Sequence, residues 1–220
     1  MHILAHRGYS EGPDPTRENT LDAVRECLER GWGVEIDIRR AASGAFYIAH
    51  DASSTGAPDA VPYLEAIRRA SAPVALNVKE LGYEADLLAF LRAHDVLDHL
   101  FLFDMELIEP VPGATAARFR ALDPAVRLAA RASDRAEPLD RALSSPNESV
   151  VWLDEFDRLW IERHDIAAVH AAGRQAFAIS PEIHGFPIEA AVERWQQFLA
   201  WGLDGLCTDY PARAQRALFS

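Results

Sequence analysis

Cysteine is scarce in this 220-residue chain, which has only Cys27 and Cys207. Two thiols with no metal-type spacing are expected to be buried rather than bridged or bound to zinc. Positive charge is also short. The chain has 22 Lys+Arg against 34 Asp+Glu, for a formal charge of −12. Such a balance makes a poor general partner for nucleic acid or an anionic membrane. No apolar run reaches the length of a membrane span. The opening MHILAH lacks a basic segment followed by an apolar stretch, so no secretory signal is expected and a cytoplasmic location is the default.

What is present is a substantial core, with 49% hydrophobic residues. That suits a single domain over residues 1–220. Eight apolar, strand-like runs recur: 2–6, 33–38, 74–78, 100–104, 116–120, 150–154, 176–180 and 205–209. Most are continuously apolar, as in strands covered on both faces. Helical patterns fill several gaps. Leu21, Val24, Cys27 and Leu28 share one face, with Asn19 or Thr20 as the cap and Gly31 as the stop. Leu87, Phe90 and Leu91 share another, and 161–173 and 188–202 also read as helices. Residues 121–149 read as an irregular or weakly helical connection. Alternating strands and helices at this length predict a (β/α)8 barrel, with a doubly wound open sheet as the alternative.

A barrel places functional residues at the C-terminal ends of its strands. His6, Arg7, Glu35, Asp37, Asn77, Lys79, Asp104, Arg118, Asp154, Glu182 and Asp209 all fall at or just past such predicted ends. His50 and Asp51 follow a further strand-like run. Two imidazoles titrating near neutral pH suit paired acid and base work. Glu35 and Asp37, two apart on a strand, point the same way and offer hard oxygen to Mg²⁺ or Ca²⁺. The alternative for these carboxylates is ion pairing with Arg7 and Arg39. The planar fork of Arg7 suits a phosphate.

The ordered motifs HRG (6–8), ENT (18–20), EIDI (35–38) and HD (50–51), with NVK (77–79) and TDYP (208–211), resemble the glycerophosphodiester phosphodiesterase superfamily, which shares its barrel with the phosphatidylinositol-specific phospholipases C. The match is strongest over the first 51 residues and points to a divergent branch. The resemblance implies a barrel and a metal-dependent hydrolase of a small phosphodiester, in lipid metabolism. It implies His6 and His50 as the acid/base pair. Glu35, Asp37 and Asn77 would then hold the divalent cation. Substrate contacts would come from Arg7, Lys79, Arg118, Glu182 and Trp152.

The third strand departs from the family pattern, because an amide, Asn77, stands at the usual acidic position. A weaker metal site is expected, or one completed by Asp104, Asp154 or Glu182. Trp152 reads as packing or as a stacking surface, and His184 as a possible pocket residue beside Glu182. Glu18 either positions Arg7 or a histidine, or only stabilises the helix N-terminus. Asp51 supports the His50 loop. Tyr9 and Tyr210 flank the expected mouth. Two other functional readings remain: a weak or inactive barrel that binds a phosphorylated small molecule, and a lyase releasing a cyclic phosphate.

Overall fold

A computed structural model describes residues 1–52 and 58–219. Eight parallel strands form a barrel: β1 (His2–His6), β2 (Gly33–Arg40), β4 (Val74–Val78), β5 (Leu100–Phe103), β6 (Ala129–Ser133), β7 (Val150–Asp154), β8 (Gln175–Ile179) and β9 (Gly205–Thr208). Their order is β5-β4-β2-β1-β9-β8-β7-β6. The β5–β6 seam closes through one parallel bridge, Leu102 to Leu128, with Leu102 N–H donating to Arg127 O at 3.0 Å. The eight-stranded count predicted from sequence holds, and the four helical expectations hold with it or nearly so. These are α1 (Leu21–Glu29), α3 (Glu84–Ala93), α6 (Arg163–Ala171) and α7 (Ile188–Trp201). Helices α2 (Val61–Ile67), α4 (Ala114–Leu122), α5 (Leu139–Ser144) and α8 (Pro211–Phe219) complete the outer layer.

One predicted strand is corrected. Residues 116–120 lie in α4, where Ala116 and Phe119 are buried three apart on one helical face. Alanine and arginine favour a helix, and one aromatic does not make a strand. The fifth barrel strand is instead Ala129–Ser133, inside the segment read as irregular. Its sequence, AARAS, carries no Val, Ile or aromatic residue, so local propensity gives no strand signal. Tertiary pairing with β7 in register from Ala129↔Val150 to Ser133↔Asp154 makes the strand.

The short strand β3 (Phe46–Ile48) runs antiparallel to the end of β2, pairing Ile38 with Ile48 and Arg40 with Phe46. It carries the chain back over the barrel mouth to His50. The Arg39 side chain clamps this return by donating to Ala49 O at 3.2 Å and to His50 O at 2.6 Å.

Two apolar layers hold the fold. The larger lies between the barrel and its helices; Val24 and Cys27 of α1 and Leu87, Leu88 and Leu91 of α3 are buried in it. The smaller fills the barrel interior with aromatics. Phe103 and Trp152 have ring centroids 4.5 Å apart, and Phe101 and Phe177 5.2 Å apart. Gly205 on β9 makes room for this plug, since a Cβ there would fall 2.2 Å from the Phe177 ring. Both cysteines are buried free thiols, as expected. Among the described residues, no helix is long and apolar enough to cross a membrane.

Candidate active site

The C-terminal ends of the strands open into a cavity of about 460 Å³. His6 and Arg7 from β1, Glu35 and Asp37 from β2, Asn77 and Lys79 from β4, and His50 from the loop after β3 all line it. The barrel therefore brings the two histidines and the two metal-type carboxylates to one mouth.

The turn after β1 sets the arrangement. Arg7 takes a left-handed backbone, φ 49°, at the point where the strand ends. Its N–H approaches Glu35 Oε2 at 3.3 Å, and its guanidinium pairs with Glu18 Oε1 at 3.1 Å. Glu18 also accepts from Tyr9 OH at 2.9 Å. Glu18 thus braces Arg7. Thr20 caps α1, accepting from Ala23 N–H. Asn19, the other candidate cap, is turned inward instead. Its side chain donates to Asp37 Oδ2 at 2.9 Å, and its carbonyl is held by Tyr63 OH at 2.7 Å.

His6 is held on both sides. Its Nδ1 lies 2.7 Å from Asp209 Oδ1, and its Nε2 lies 3.8 Å from Glu35 Oε2. Burial pulls the imidazole pKa down, but the Asp209 hydrogen bond and the charges of Glu35 and Asp209 outweigh it and leave the value raised. His50 is more open, with Nδ1 2.9 Å from Asp51 Oδ1. The two imidazoles differ in setting: His6 is largely enclosed between two carboxylates, and His50, with one exposed carboxylate partner, lies more open.

Burial, followed by the Asp37 charge, pushes the Glu35 carboxyl up to about 7. Asp37 Oδ1 is buried with no hydrogen bond, and its nearest cation is Lys79 Nζ at 3.3 Å. Lys79 is the only lysine in the chain, against 21 arginines. Across the whole cavity five carboxylates face three permanent cations, Arg7, Lys79 and Arg131. An anionic ligand needs more positive charge than that. An unbonded carboxylate oxygen, a neighbouring carboxylate with a raised pKa, and a nearby amide fit a hard divalent cation. Among the described residues, no group of three or more His, Cys, Asp or Glu side chains stands ready to hold a metal. The third donor of such a site would have to be the Asn77 amide.

The far wall holds what the sequence reading missed. Arg131, from the unrecognised strand β6, reaches Asp104 Oδ1 at 2.7 Å and Asp154 Oδ2 at 2.6 Å. Asn77 donates to the other oxygen of Asp104 at 3.0 Å. His184 Nε2 donates to Asp154 Oδ1 at 2.5 Å. Asp104 and Asp154 are therefore committed to Arg131, not free to complete a metal shell. The clue in the sequence was a lone arginine between alanines at 129–132, a charge in an otherwise small, apolar run.

Three expected substrate contacts are corrected. Arg118 sits on α4, outside the barrel, and pairs with Glu84 Oε2 at 3.1 Å. Its expected place at a strand end fails with the strand at 116–120, which is helical. Trp152 is fully buried in the aromatic plug and does not line the cavity. Glu182 turns away from the cavity and accepts from Thr208 Oγ1 at 2.5 Å and from Asp209 N–H at 3.2 Å. It braces the strand end that carries Asp209. Tyr9 lines the cavity, and Tyr210 lines an adjoining groove with it.

Comparison with known proteins gives no matching family model and no matching curated sequence. Solved structures match along the whole chain. A phosphodiesterase from Oleispira antarctica, crystallised with the product sn-glycerol-3-phosphate, is 20% identical with a TM-score of 0.69, covering 100% of this chain and 97% of its own. A glycerophosphodiester phosphodiesterase from Agrobacterium tumefaciens is 18% identical with a TM-score of 0.70, covering 96% and 97%. A provisionally assigned glycerophosphodiester phosphodiesterase from Galdieria sulphuraria is 20% identical with a TM-score of 0.77, covering 98% and 96%. The chain has the fold of these phosphodiesterases. Fold does not carry activity by itself, so function rests on the residues at the mouth.

Proposed function

We propose that this protein is a phosphoric diester hydrolase acting on a small phosphodiester of the glycerophosphodiester kind. The observation that carries this reading is the gathering of His6, His50, Arg7, Lys79, Glu35 and Asp37 around one cavity. The shared fold, and the product bound to the Oleispira relative, point the same way.

Arg7 and Lys79 bind the phosphate, Arg7 through its planar fork and Lys79 as a point charge. Glu18 and Tyr9 keep the fork in place. Glu35, Asp37 and the Asn77 amide oxygen would hold Mg²⁺ or Ca²⁺, which when bound supplies positive charge against the phosphate. One histidine takes the proton of the attacking hydroxyl and the other gives a proton to the leaving alkoxide. Asp209 steadies His6 in either role, as a carboxylate does for an imidazole that must become charged. The attacking hydroxyl is water, or a neighbouring hydroxyl of the substrate; the latter closes a cyclic phosphate.

The test is a panel of phosphodiesters with Mg²⁺ or Ca²⁺, followed by phosphorus NMR, with His6→Ala and His50→Ala alongside the wild type. Hydrolysis lost in both variants supports the reading, and a persistent cyclic phosphate would make the protein a lyase instead. A second reading is favoured by Asn77 and by the Lys79–Asp37 ion pair, both of which weaken a cation site: a barrel that binds a phosphorylated small molecule without turnover. Wild-type activity no greater than that of the alanine variants, with ligand still protecting against heat, would establish that alternative.

A further inference from the structure

Thr20 caps α1 by itself, which leaves the neighbouring Asn19 without the task usual for asparagine at that place. Asn19 is buried, in a left-handed backbone with φ 53°. Asparagine tolerates that region better than most side chains. Three of its polar groups are bonded in three directions. Its N–H donates to Arg7 O at 2.8 Å, and its side-chain amide donates to Asp37 Oδ2 at 2.9 Å. Its carbonyl accepts from Tyr63 OH at 2.7 Å.

Arg7 is left-handed too, and its own N–H approaches Glu35 Oε2. The backbone that carries its guanidinium is thus tied at the N–H to one carboxylate and, through Asn19, at the carbonyl to the other. Sparsely populated backbone conformations persist only where their surroundings hold them. The outermost holder here is Tyr63, buried on α2 in the apolar layer between barrel and helices. Packing in that layer needs only its ring; the hydroxyl serves Asn19. Burial pushes the phenol up to about 12, so it stays a donor at neutral pH. With Oδ2 held by Asn19, Asp37 keeps Oδ1, which has no hydrogen bond, for a cation.

We propose that Asn19 and Tyr63 are positioning residues for this site: Tyr63 holds Asn19, and Asn19 both sets Asp37 toward the cation and locks the turn that carries Arg7. Cation binding and phosphate binding then share one support, anchored on an outer helix. The inference rests on the cation and phosphate sites proposed above.

Calorimetry with Mg²⁺, and separately with inorganic phosphate on the metal-free protein, tests this. The proteins compared are the wild type, Asn19→Gly, Tyr63→Phe and Thr20→Ala. Glycine takes the left-handed backbone without strain and keeps the main-chain bonds, so Asn19→Gly removes only the hold on Asp37. It should weaken Mg²⁺ binding about tenfold or more, the usual loss when the partner of a metal ligand is removed, and leave phosphate affinity unchanged. Tyr63→Phe should weaken both ligands, each by about fivefold, the worth of one net hydrogen bond. Thr20→Ala loses the adjacent helix cap, so it should lower the Tm yet bind both ligands as the wild type does. Wild-type Mg²⁺ affinity in Asn19→Gly or Tyr63→Phe overturns the inference and leaves the proposed function standing. So does unchanged phosphate affinity in Tyr63→Phe. Equal weakening by Thr20→Ala also overturns it, because the effect would then be one of stability. Failure of the wild type to bind Mg²⁺ or phosphate overturns the proposed site, and the inference with it.

Discussion

Replacing Arg131 with methionine removes the one cation shared by a buried carboxylate, Asp154, and a largely buried one, Asp104. Asp154 is fully buried, and Asp104 lies beside it across the barrel mouth. Breaking a buried ion pair from one side costs about 3–5 kcal/mol, because the partner charge is left unpaired. In a chain of this size each kcal/mol moves the Tm by about 2–4 °C, so a fall of roughly 6–20 °C is expected. The loss should depend on pH. Burial already raises the Asp104 pKa in the native protein, and the Arg131 charge is the largest influence pulling it back. Without Arg131 the folded-state pKa rises further above the unfolded one. The folded form then holds a proton that the unfolded form releases, so stability falls as pH rises through the raised pKa. The deficit is therefore full above that value and shrinks as pH falls toward the unfolded value of about 4. Urea unfolding at pH 7.5 and pH 5, followed by circular dichroism, measures both quantities. Adding Asp104→Asn to the methionine variant should return part of the loss at pH 7.5. A deficit below about 1 kcal/mol, or one that does not change with pH, would refute the charge argument.

Asp209→Asn removes the hydrogen bond that, with nearby carboxylates, outweighs burial at His6. The His6 limb of the pH–rate profile should move to lower pH, read from kcat/KM across pH 5–9. Because Lys79 is the only lysine, reductive methylation should label just that side chain and the amino terminus. Inorganic phosphate should slow labelling of Lys79 and not of the terminus, measured by mass spectrometry. Asn77→Asp should tighten Mg²⁺ binding in calorimetry by adding charge at the third donor. It should also lower the Tm without metal, because it exchanges the Asn77–Asp104 hydrogen bond for two facing carboxylates.

Several features of this protein were settled by the sequence alone. The continuous apolar runs of β1, β2, β4, β5, β7, β8 and β9 announce strands covered on both faces, since little but burial explains such runs. The polar residues that end them fix where chemistry sits, because a parallel barrel has one functional end. The two-residue spacing of Glu35 and Asp37 puts them on one face by strand geometry. Other features were decided only by the assembled barrel. Strand β6 is a strand because β7 pairs with it, and its alanines carry no local preference that says so. The same missing local signal hides Arg131 at the mouth, while the helix that does form at 114–122 carries Arg118 outside the barrel. Whether Trp152 stacks on a ligand or fills the barrel depends on its depth along the strand, and its neighbours Phe101, Phe103 and Phe177 decide for filling. Asn19, Glu182 and Asp209 gain their roles from partners 18, 26 and 203 residues away. Periodicity reports which face of its own element a residue occupies. It cannot report which distant side chain will meet that residue once eight strand ends converge on one mouth.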